Sequence, residues 1–523
     1  MNHSHKYQLS LLALLIITGI FFSCDSYQAS PMDLSRHKII PVPVSVVSTG
    51  SSFRITANTT INVASEDEEV ISVAGFLRDI LRPATGFELP VSINKAAGKR
   101  SINLNLIDEE ELGNEGYLLY IAEKNIRLEA NTAEGLFRGI QSIRQLLPAL
   151  IERDSVQDVV WEIASGSIRD YPVYEYRSAM LDVSRHFFGP ENIREVIDWL
   201  VRYKMNNLHL HLSDDQGWRI EIEKWPELTK TGGSSQVGGG KGGYLSKDEF
   251  KALVQYATER YINIVPEIDM PGHTNAALAS YSFLNCNDKS PDLYTGTEVG
   301  FSTLCTERDS VYFFIDDVIG EITEMIPGPY FHIGGDESHV TKKEDYIYFV
   351  QKVQEIVTRH GKQMIGWDEI AQIKLREDAL VQVWNSEENA VIAVRQGSKV
   401  ILSPANRCYL DMKYDSTTTL GLSWAGLIEV DHGYDWYPEQ LIQEVKKEHI
   451  LGIECPLWTE TVTNMDEMEF LVFPRLPGYA EIGWSQKENR SWETYKQRLA
   501  GQTAVFEEMG LDFYRSKLIS WEK

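Results

Sequence analysis

Basic side chains are in short supply. The 523-residue chain carries 50 Lys and Arg against 76 Asp and Glu, a net charge of −26. A chain this acidic is repelled by phosphate backbones, which argues against nucleic acid as a partner. Cysteine is scarce, with five in all. No CxxC or HExxH spacing occurs, so no metal is expected. No GxGxxG turn and no P-loop lysine occurs, so nucleotide binding has no support and no cofactor is implied. After the first two dozen residues no apolar run is long enough to span a bilayer. The remaining composition, 43% hydrophobic and 24% charged, excludes general disorder and fibrous repeats. Aromatics are what the chain has in quantity: 11% of residues, with 12 Trp. That suits a protein that grips flat apolar ring faces.

The one long apolar run opens the chain. Behind Lys6, residues Leu9 to Phe22 are almost continuously apolar, about 14 residues against the roughly 20 of a membrane-spanning helix. The run reads as the apolar region of an export signal over residues 1–24. Ser23-Cys24 follows at once and resembles a bacterial lipoprotein signal, in which the cysteine becomes the lipidated first residue. The expectation is an exported body, periplasmic or on the outer membrane or cell surface, touching the membrane only through a lipid on Cys24. Without Cys24, four cysteines remain. Cys286 and Cys305 flank a polar loop and make the better disulfide pair in an oxidising compartment. Cys408 and Cys455 read equally well as buried thiols.

Residues 25–37 are polar and read as a tether. From 38 to about 168 the texture is that of a small α+β domain. Ser101–Ile107 and Tyr117–Ile121 are strand-like, and Asn125–Glu129 alternates. A helix follows, with Thr132 as its cap and Leu136, Phe137, Ile140, Ile143, Leu146 and Leu147 on one face. From 169 to 523 the pattern becomes strand, loop, helix, repeated. Eight strands can be read: Arg177–Val183, Asn206–Leu212, Asn263–Asp269, Tyr330–Gly334, Gln363–Trp367, Leu380–Trp384, Lys399–Ser403 and Leu451–Trp458. Amphipathic helices follow several of them, one with Pro190 near its start and one opened by a Ser246–Glu249 capping box. Eight strands alternating with helices fit a (β/α)8 TIM barrel, with a doubly wound sheet as the structural alternative.

Barrel active sites lie at the C-terminal strand ends. Those ends carry Asp182 and Arg185; His209, His211, Asp214 and Asp215; Glu267, Asp269 and His273; Asp336 and Glu337; Trp367 and Asp368; Trp384; Tyr409 and Asp411; Trp458 and Glu460. The sharpest element is His332-Ile333-Gly334-Gly335-Asp336-Glu337. Two glycines permit a tight turn and close approach of a ligand. Two adjacent carboxylates in a cleft raise one another's pKa, so that one stays protonated while the other stays charged. Glycosidic bond cleavage requires that division.

These residues resemble those of the family 20 glycoside hydrolases, the β-N-acetylhexosaminidases. His332–Glu337 matches the family's H-x-G-G-D-E motif. Arg177 with Leu181-Asp182-Val183-Ser184-Arg185-His186-Phe187 matches its first barrel strand, His209–Arg219 its second, and Pro266-Glu267-Ile268-Asp269-Met270-Pro271-Gly272-His273 its third. Gly366-Trp367, Val383-Trp384, Tyr409-Leu410-Asp411 and Leu457-Trp458-Thr459-Glu460 match later strand ends. The likeness covers about residues 38–510.

The resemblance implies an exo-acting enzyme that removes terminal β-linked GlcNAc or GalNAc from glycans, with retention. In it the sugar's own acetamido oxygen attacks the anomeric carbon to give an oxazolinium ion. It implies Glu337 as general acid and then base, Asp336 as holder of the acetamido N–H, and Tyr409 as donor to the acetamido oxygen. Trp367, Trp384 and Trp458 wall the site, Arg177 and Glu460 bind the 3- and 4-hydroxyls, and Asp411 binds the 6-hydroxyl. His273 and Asp214 support Glu337, although Asp215 competes with Asp214 for the inward position. Arg185 reads as a structural ion pair. The family needs no metal, and homodimers occur in it. Glu454-Cys455-Pro456, Ser423-Trp424-Ala425-Gly426 and the glycine-rich stretch 232–243 depart from the pattern and bear on the outer subsites. A surface glycan-binding lipoprotein is the alternative of another class, and the presence of both Asp336 and Glu337 argues against it. An endo-acting chitin hydrolase would need an open groove.

Overall fold

The computed structural model describes residues 29–94 and 100–521. The export signal and Cys24 lie outside the described residues, as does the first part of the tether. Residues 29–37 are not a free tether: Leu34, in a short helical turn Leu34–Arg36, is buried and its N–H donates to Ser48 Oγ. An apolar side chain in a polar stretch found the sheet surface beside it.

The first domain is a seven-stranded mixed sheet: β1 (Ser45–Arg54), β2 (Thr60–Val63), β3 (Val91–Ile93), β4 (Ser101–Leu106), β5 (Tyr117–Ile121), β6 (Asn125–Ala130) and β7 (Glu162–Asp170), in the order β1-β7-β5-β6-β4-β2-β3. Helices α1 (Glu68–Thr85) and α2 (Ala133–Leu146) pack on it. Thr132 caps α2 as expected, accepting from Gly135 N. Leu136, Phe137, Ile140 and Ile143 of α2 are buried. The opposite side of α2 meets the second domain, where Arg138 donates to the carbonyls of Met205 and Tyr261 and Gln145 to that of Arg202. The sheet runs to Asp170, two residues past the expected boundary.

The second domain is a closed, all-parallel, eight-stranded barrel. Its strands are β8 (Tyr176–Asp182), β9 (Asn207–His211), β10 (Asn263–Glu267), β11 (Tyr330–His332), β12 (Gln363–Trp367), β13 (Leu380–Val383), β14 (Lys399–Leu402) and β15 (Ile450–Leu457), with β15 pairing back onto β8. These are the eight strands read from the sequence, with most shortened at an end and the first and last shifted one residue earlier. Helices α3 (Pro190–Arg202) and α4 (Lys247–Thr258) cover the outside, with Pro190 in the first turn of α3 and the Ser246–Glu249 capping box present. Cys286 and Cys305 form a disulfide. Cys408 and Cys455 are buried free thiols. No helix among the described residues is long and apolar enough to cross a membrane.

Candidate active site

The loops after the barrel strands close around a cavity of about 250 Å³ lined by Arg185, Thr297, Val299, Asp336, Glu337, Trp384, Tyr409, Asp411, Leu422, Trp424, Trp458 and Glu460. Its carboxylates are delivered by the turn after β11. Gly334 and Gly335 take φ of 65° and 100°. A Cβ at Gly334 would lie 1.8 Å from Asp269 Oδ1, and that same oxygen accepts from Gly335 N at 3.1 Å. Only glycine fits there. Glu337 and His273 are non-glycine residues with φ of 44° and 54°. Two strained backbones facing one another mark a functional site.

His273 joins the two carboxylates. Its Nε2 lies 3.7 Å from Asp336 Oδ2 and 3.6 Å from Glu337 Oε2. Its Nδ1 lies 3.2 Å from Asp214 Oδ1. Asp214 makes the shorter contact to His273, 3.2 Å against 3.9 Å from Asp215 Oδ2, and also holds His211 and Arg185. Asp215 instead accepts from Ser302 Oγ and Asn275 N and fixes the loop. Burial disfavours a charged His273, but Asp214 and Asp336 outweigh it and raise its pKa well above the usual value.

The carboxylate pair titrates in the reverse of the expected order. Burial pushes Asp336 up to about 6, against the pull of His273 and with Glu267 and Glu337 adding to the rise. Burial also works against Glu337, but the nearby His273 imidazole and its charge, with Arg185, hold it below the usual glutamate value. The reason is position. The Glu337 side chain is 29% exposed and near cationic groups, whereas that of Asp336 is 11% exposed. Of the two, Asp336 is pushed toward its protonated form and Glu337 away from it.

The tryptophans divide their work by depth. Trp384 and Trp458 line the cavity. Trp367 is buried beneath as a floor, tilted against Trp458 at 5.8 Å between ring centroids, with its Nε1 donating to Glu267 Oε1 at 3.0 Å. Tyr409 follows a short helix, Ala405–Cys408, and packs near Trp458. At the rim Trp424 stands half out of the protein, edge-on to both Trp384 and Tyr409. Thr297 and Val299, also in the lining, come from the loop that the Cys286–Cys305 disulfide closes.

Several polar atoms that face this region are buried without a hydrogen-bonding partner in the protein: Asp336 Oδ1, both oxygens of Asp411, Glu460 Oε2 and His273 Nε2. Burial comes first in raising the pKa of Asp411 and of Glu460. Buried polar groups are nearly always paired, so a set of orphans around one cavity marks where a hydroxyl-rich ligand belongs.

One assigned residue is elsewhere. Arg177 stands at the N-terminal end of β8, on the opposite side of the barrel from the cavity. It is fully buried, paired with Glu115, and donates to the carbonyls of Lys204 and Tyr174. It is an interdomain clamp, not a sugar ligand. The cavity's arginine is Arg185, three residues beyond the strand's last residue. Its guanidinium pairs with Asp214 at 2.9 Å, lies 4.7 Å from the centroid of the Trp458 ring, and leaves Nε unpaired. A strand advances about 3.3 Å per residue, so the spacing from the strand end could have placed Arg185 rather than Arg177 at the mouth. Glu454 and Cys455 also move: they are interior residues of β15, not rim residues, and Glu454 accepts from Tyr176, His209 and Gln382. Thr297, Val299 and Leu422 carried no readable signal, being apolar or neutral residues in irregular loops.

His209 and His211 do face the same way, as their spacing implies. His209, Glu267 and His332 form one buried group compact enough for a metal ion, and His211, Asp214 and Asp269 another. The imidazoles of His209, His211 and His332 all face the Glu267 carboxylate.

Residues 174–487 match the family model described as the catalytic domain of glycosyl hydrolase family 20, and residues 36–171 match that of domain 2 of the same family. The chain is 36% identical over 487 residues to a β-N-acetylhexosaminidase from Cellulomonas fimi, covering 92% of this chain and 97% of that one. Among solved structures it is 48% identical to the GH20 β-N-acetylhexosaminidase of Streptomyces coelicolor A3(2), with TM-score 0.90 over 95% of this chain and 100% of that one. It is 49% identical to a mutant Streptomyces plicatus β-hexosaminidase in complex with the product GlcNAc, with TM-score 0.90 over 95% and 99% of the two chains.

Proposed function

Because the chain belongs to glycosyl hydrolase family 20, we propose that the cavity takes one terminal N-acetylhexosamine and that its own acetamido group opens the glycosidic bond. The chain is a β-N-acetylhexosaminidase acting on terminal β-linked residues, and substrate assistance is the family's route. The residue roles are our assignment. The observation that carries them is the placement of Asp336 and Glu337 on one strained turn, under one histidine, inside a tryptophan-walled cavity.

Glu337 protonates the leaving oxygen and later takes a proton from water. Asp336 accepts the acetamido N–H and faces the positive charge that spreads over the oxazolinium ring. A carboxylate fixed before that charge appears needs no reorganisation. Tyr409 donates to the acetamido oxygen and presses it toward the anomeric carbon, while Trp367, Trp384 and Trp458 enclose the methyl and the ring face. Holding attacker and target in contact is worth several kcal/mol. Arg185, Glu460 and Asp411 take the hydroxyls of the bound sugar, since these are the groups at the cavity with unspent hydrogen-bonding capacity. Substrate must also invert the proton order of the carboxylates. An N–H donor and a growing cation beside Asp336 favour its ionised form, and a sugar covering Glu337 removes the water that keeps it charged.

Export with a lipid on Cys24 belongs to the same proposal. It is supported by the apolar run before Cys24 and by the Cys286–Cys305 disulfide, which suits an oxidising compartment.

The test is release of a chromophore from an aryl β-GlcNAc glycoside by the protein lacking residues 1–24, beside Glu337→Gln and Asp336→Asn. Rapid release by the wild type and large losses in both variants are expected. Sugar binding without release by folded wild-type protein would favour a binding lipoprotein instead.

A further inference from the structure

Glu267, the last residue of β10, is fully buried beneath the cavity. Its Oε1 accepts from Trp367 Nε1 at 3.0 Å and lies 3.0 Å from His332 Nδ1. Its Oε2 lies 3.0 Å from His209 Nε2 and is hydrogen-bonded to His211 Nδ1. Burial alone would make such a carboxylate neutral. Here His211, His332 and His209 overcome burial and hold it well below the usual range.

The partners of Glu267 lead to two different parts of the site. One oxygen fixes the indole that floors the tryptophan box. From the other, His211 Nε2 continues to Asp214 Oδ2 at 2.8 Å, Asp214 Oδ1 to His273 Nδ1 at 3.2 Å, and His273 Nε2 to Glu337 Oε2 at 3.6 Å. Carboxylate and imidazole alternate along this path. Below it, His209 Nδ1 bonds Glu454, which Tyr176 and Gln382 also hold. The hub is thereby fixed to four strands of the barrel interior.

We propose that Glu267 is a positioning residue of the hydrolysis: its single carboxylate sets the tryptophan floor under the acetamido group and, through His211, Asp214 and His273, the orientation of Glu337. The inference rests on the hydrolase reading above. The two parts of the reaction that must meet, the internal nucleophile and the proton donor, are then registered against one rigid group rather than against two loops. An error of about 1 Å in such registration costs on the order of 10²-fold in rate.

The test is Glu267→Gln, which keeps the size and an acceptor for Trp367 but removes the charge that His211 faces. We expect kcat to fall by about 10²-fold with KM within a few-fold. Selectivity for N-acetyl over N-propionyl substrates should narrow, from the roughly 10–200-fold that one methylene can bring. The pH profile of the residual activity should shift. A purely structural role would lower Tm and the active fraction but leave acyl selectivity and pH profile of the folded enzyme unchanged, and that result overturns the proposal. If Glu267→Gln does not fold, Trp367→Phe, His211→Gln and their double variant carry the test: strongly non-additive losses are expected for parts coupled through one carboxylate, and additive losses overturn it. A wild type that releases no sugar fails the hydrolase reading; an active wild type matched by Glu267→Gln fails this one alone.

Discussion

The two ends of the barrel are both buried, polar and densely charged, yet only one of them is a site. At the N-terminal end, the carboxylates of Asp170 and Glu115 have both oxygens paired. Asp170 accepts from Val44 N, Trp484 Nε1, Tyr117 Oη and Lys204 Nζ. Glu115 binds Arg177 and Arg138 and also accepts from Asn206. At the C-terminal end, Asp336, Asp411 and Glu460 keep buried oxygens with no partner in the protein. The difference teaches how to tell a structural ion network from a binding site made of the same residue types. The network has satisfied itself. The site holds capacity in reserve for hydroxyls and an amide that arrive with the substrate.

The comparison breaks most sharply at the catalytic pair. Glu337→Gln should lower kcat by on the order of 10²–10⁴-fold. The loss should shrink for aryl leaving groups that depart without a proton, and steady-state kinetics over a leaving-group series would show this. Next come the two arginines. Arg185→Ala should lower kcat/KM by at least ten-fold, while Arg177→Ala should leave kcat/KM of the folded enzyme near wild type. Arg177→Ala should instead destabilise by about 3–5 kcal/mol, because it leaves the Glu115 charge short of a partner. Thermal melts beside kinetics separate the two outcomes, and a catalytic loss in stable Arg177→Ala would break the comparison.

Two smaller effects sharpen it. The pKa of Asp336 stands at about 6 in the folded protein and is raised from 3.8. The sign follows: folding is favoured while this group is protonated, and stability is lost as pH rises from about 4 through 6. Asp336→Asn, though inactive, should therefore raise Tm by about 1–3 °C at pH 7 and by little at pH 4. Wild-type kcat/KM should fall below about pH 6, as Asp336 takes up a proton. Smallest, Trp424→Ala should change rates on a simple aryl glycoside by less than about five-fold while weakening oligosaccharide substrates further, since an exposed indole offers about 0.5–1.5 kcal/mol of ring contact.

Much of this was legible in the chain. The eight barrel strands could be read because apolar runs bounded by turn residues are local signals. The Asp-Glu pair could be read because two glycines and two acids at one strand end form a pattern that packing alone seldom requires. Thr132 and Ser246 announced their helices because a cap acts within three residues of itself. What stayed illegible was relational. Asp214 and Asp215 are chemically the same, and only the path of the turn after β9 gives the hydrogen-bonding contact with His273 to one and Ser302 to the other. Thr297 and Val299 line the mouth because a disulfide and a loop bring them there.

The sequence by itself carried the eight strands and the Asp336–Glu337 turn in neighbouring residues, and its motifs pointed, through their resemblance to a family, to the barrel site and the chemical class of ligand. Only the tertiary structure decided which of two arginines reaches the cavity, which of the two carboxylates burial pushes up, and that Glu267 stands beneath the cavity. Those are properties of burial and of distance across strands, and a carboxylate's pKa or partner depends on groups a hundred or more residues away in the chain, as Trp367 is from Glu267.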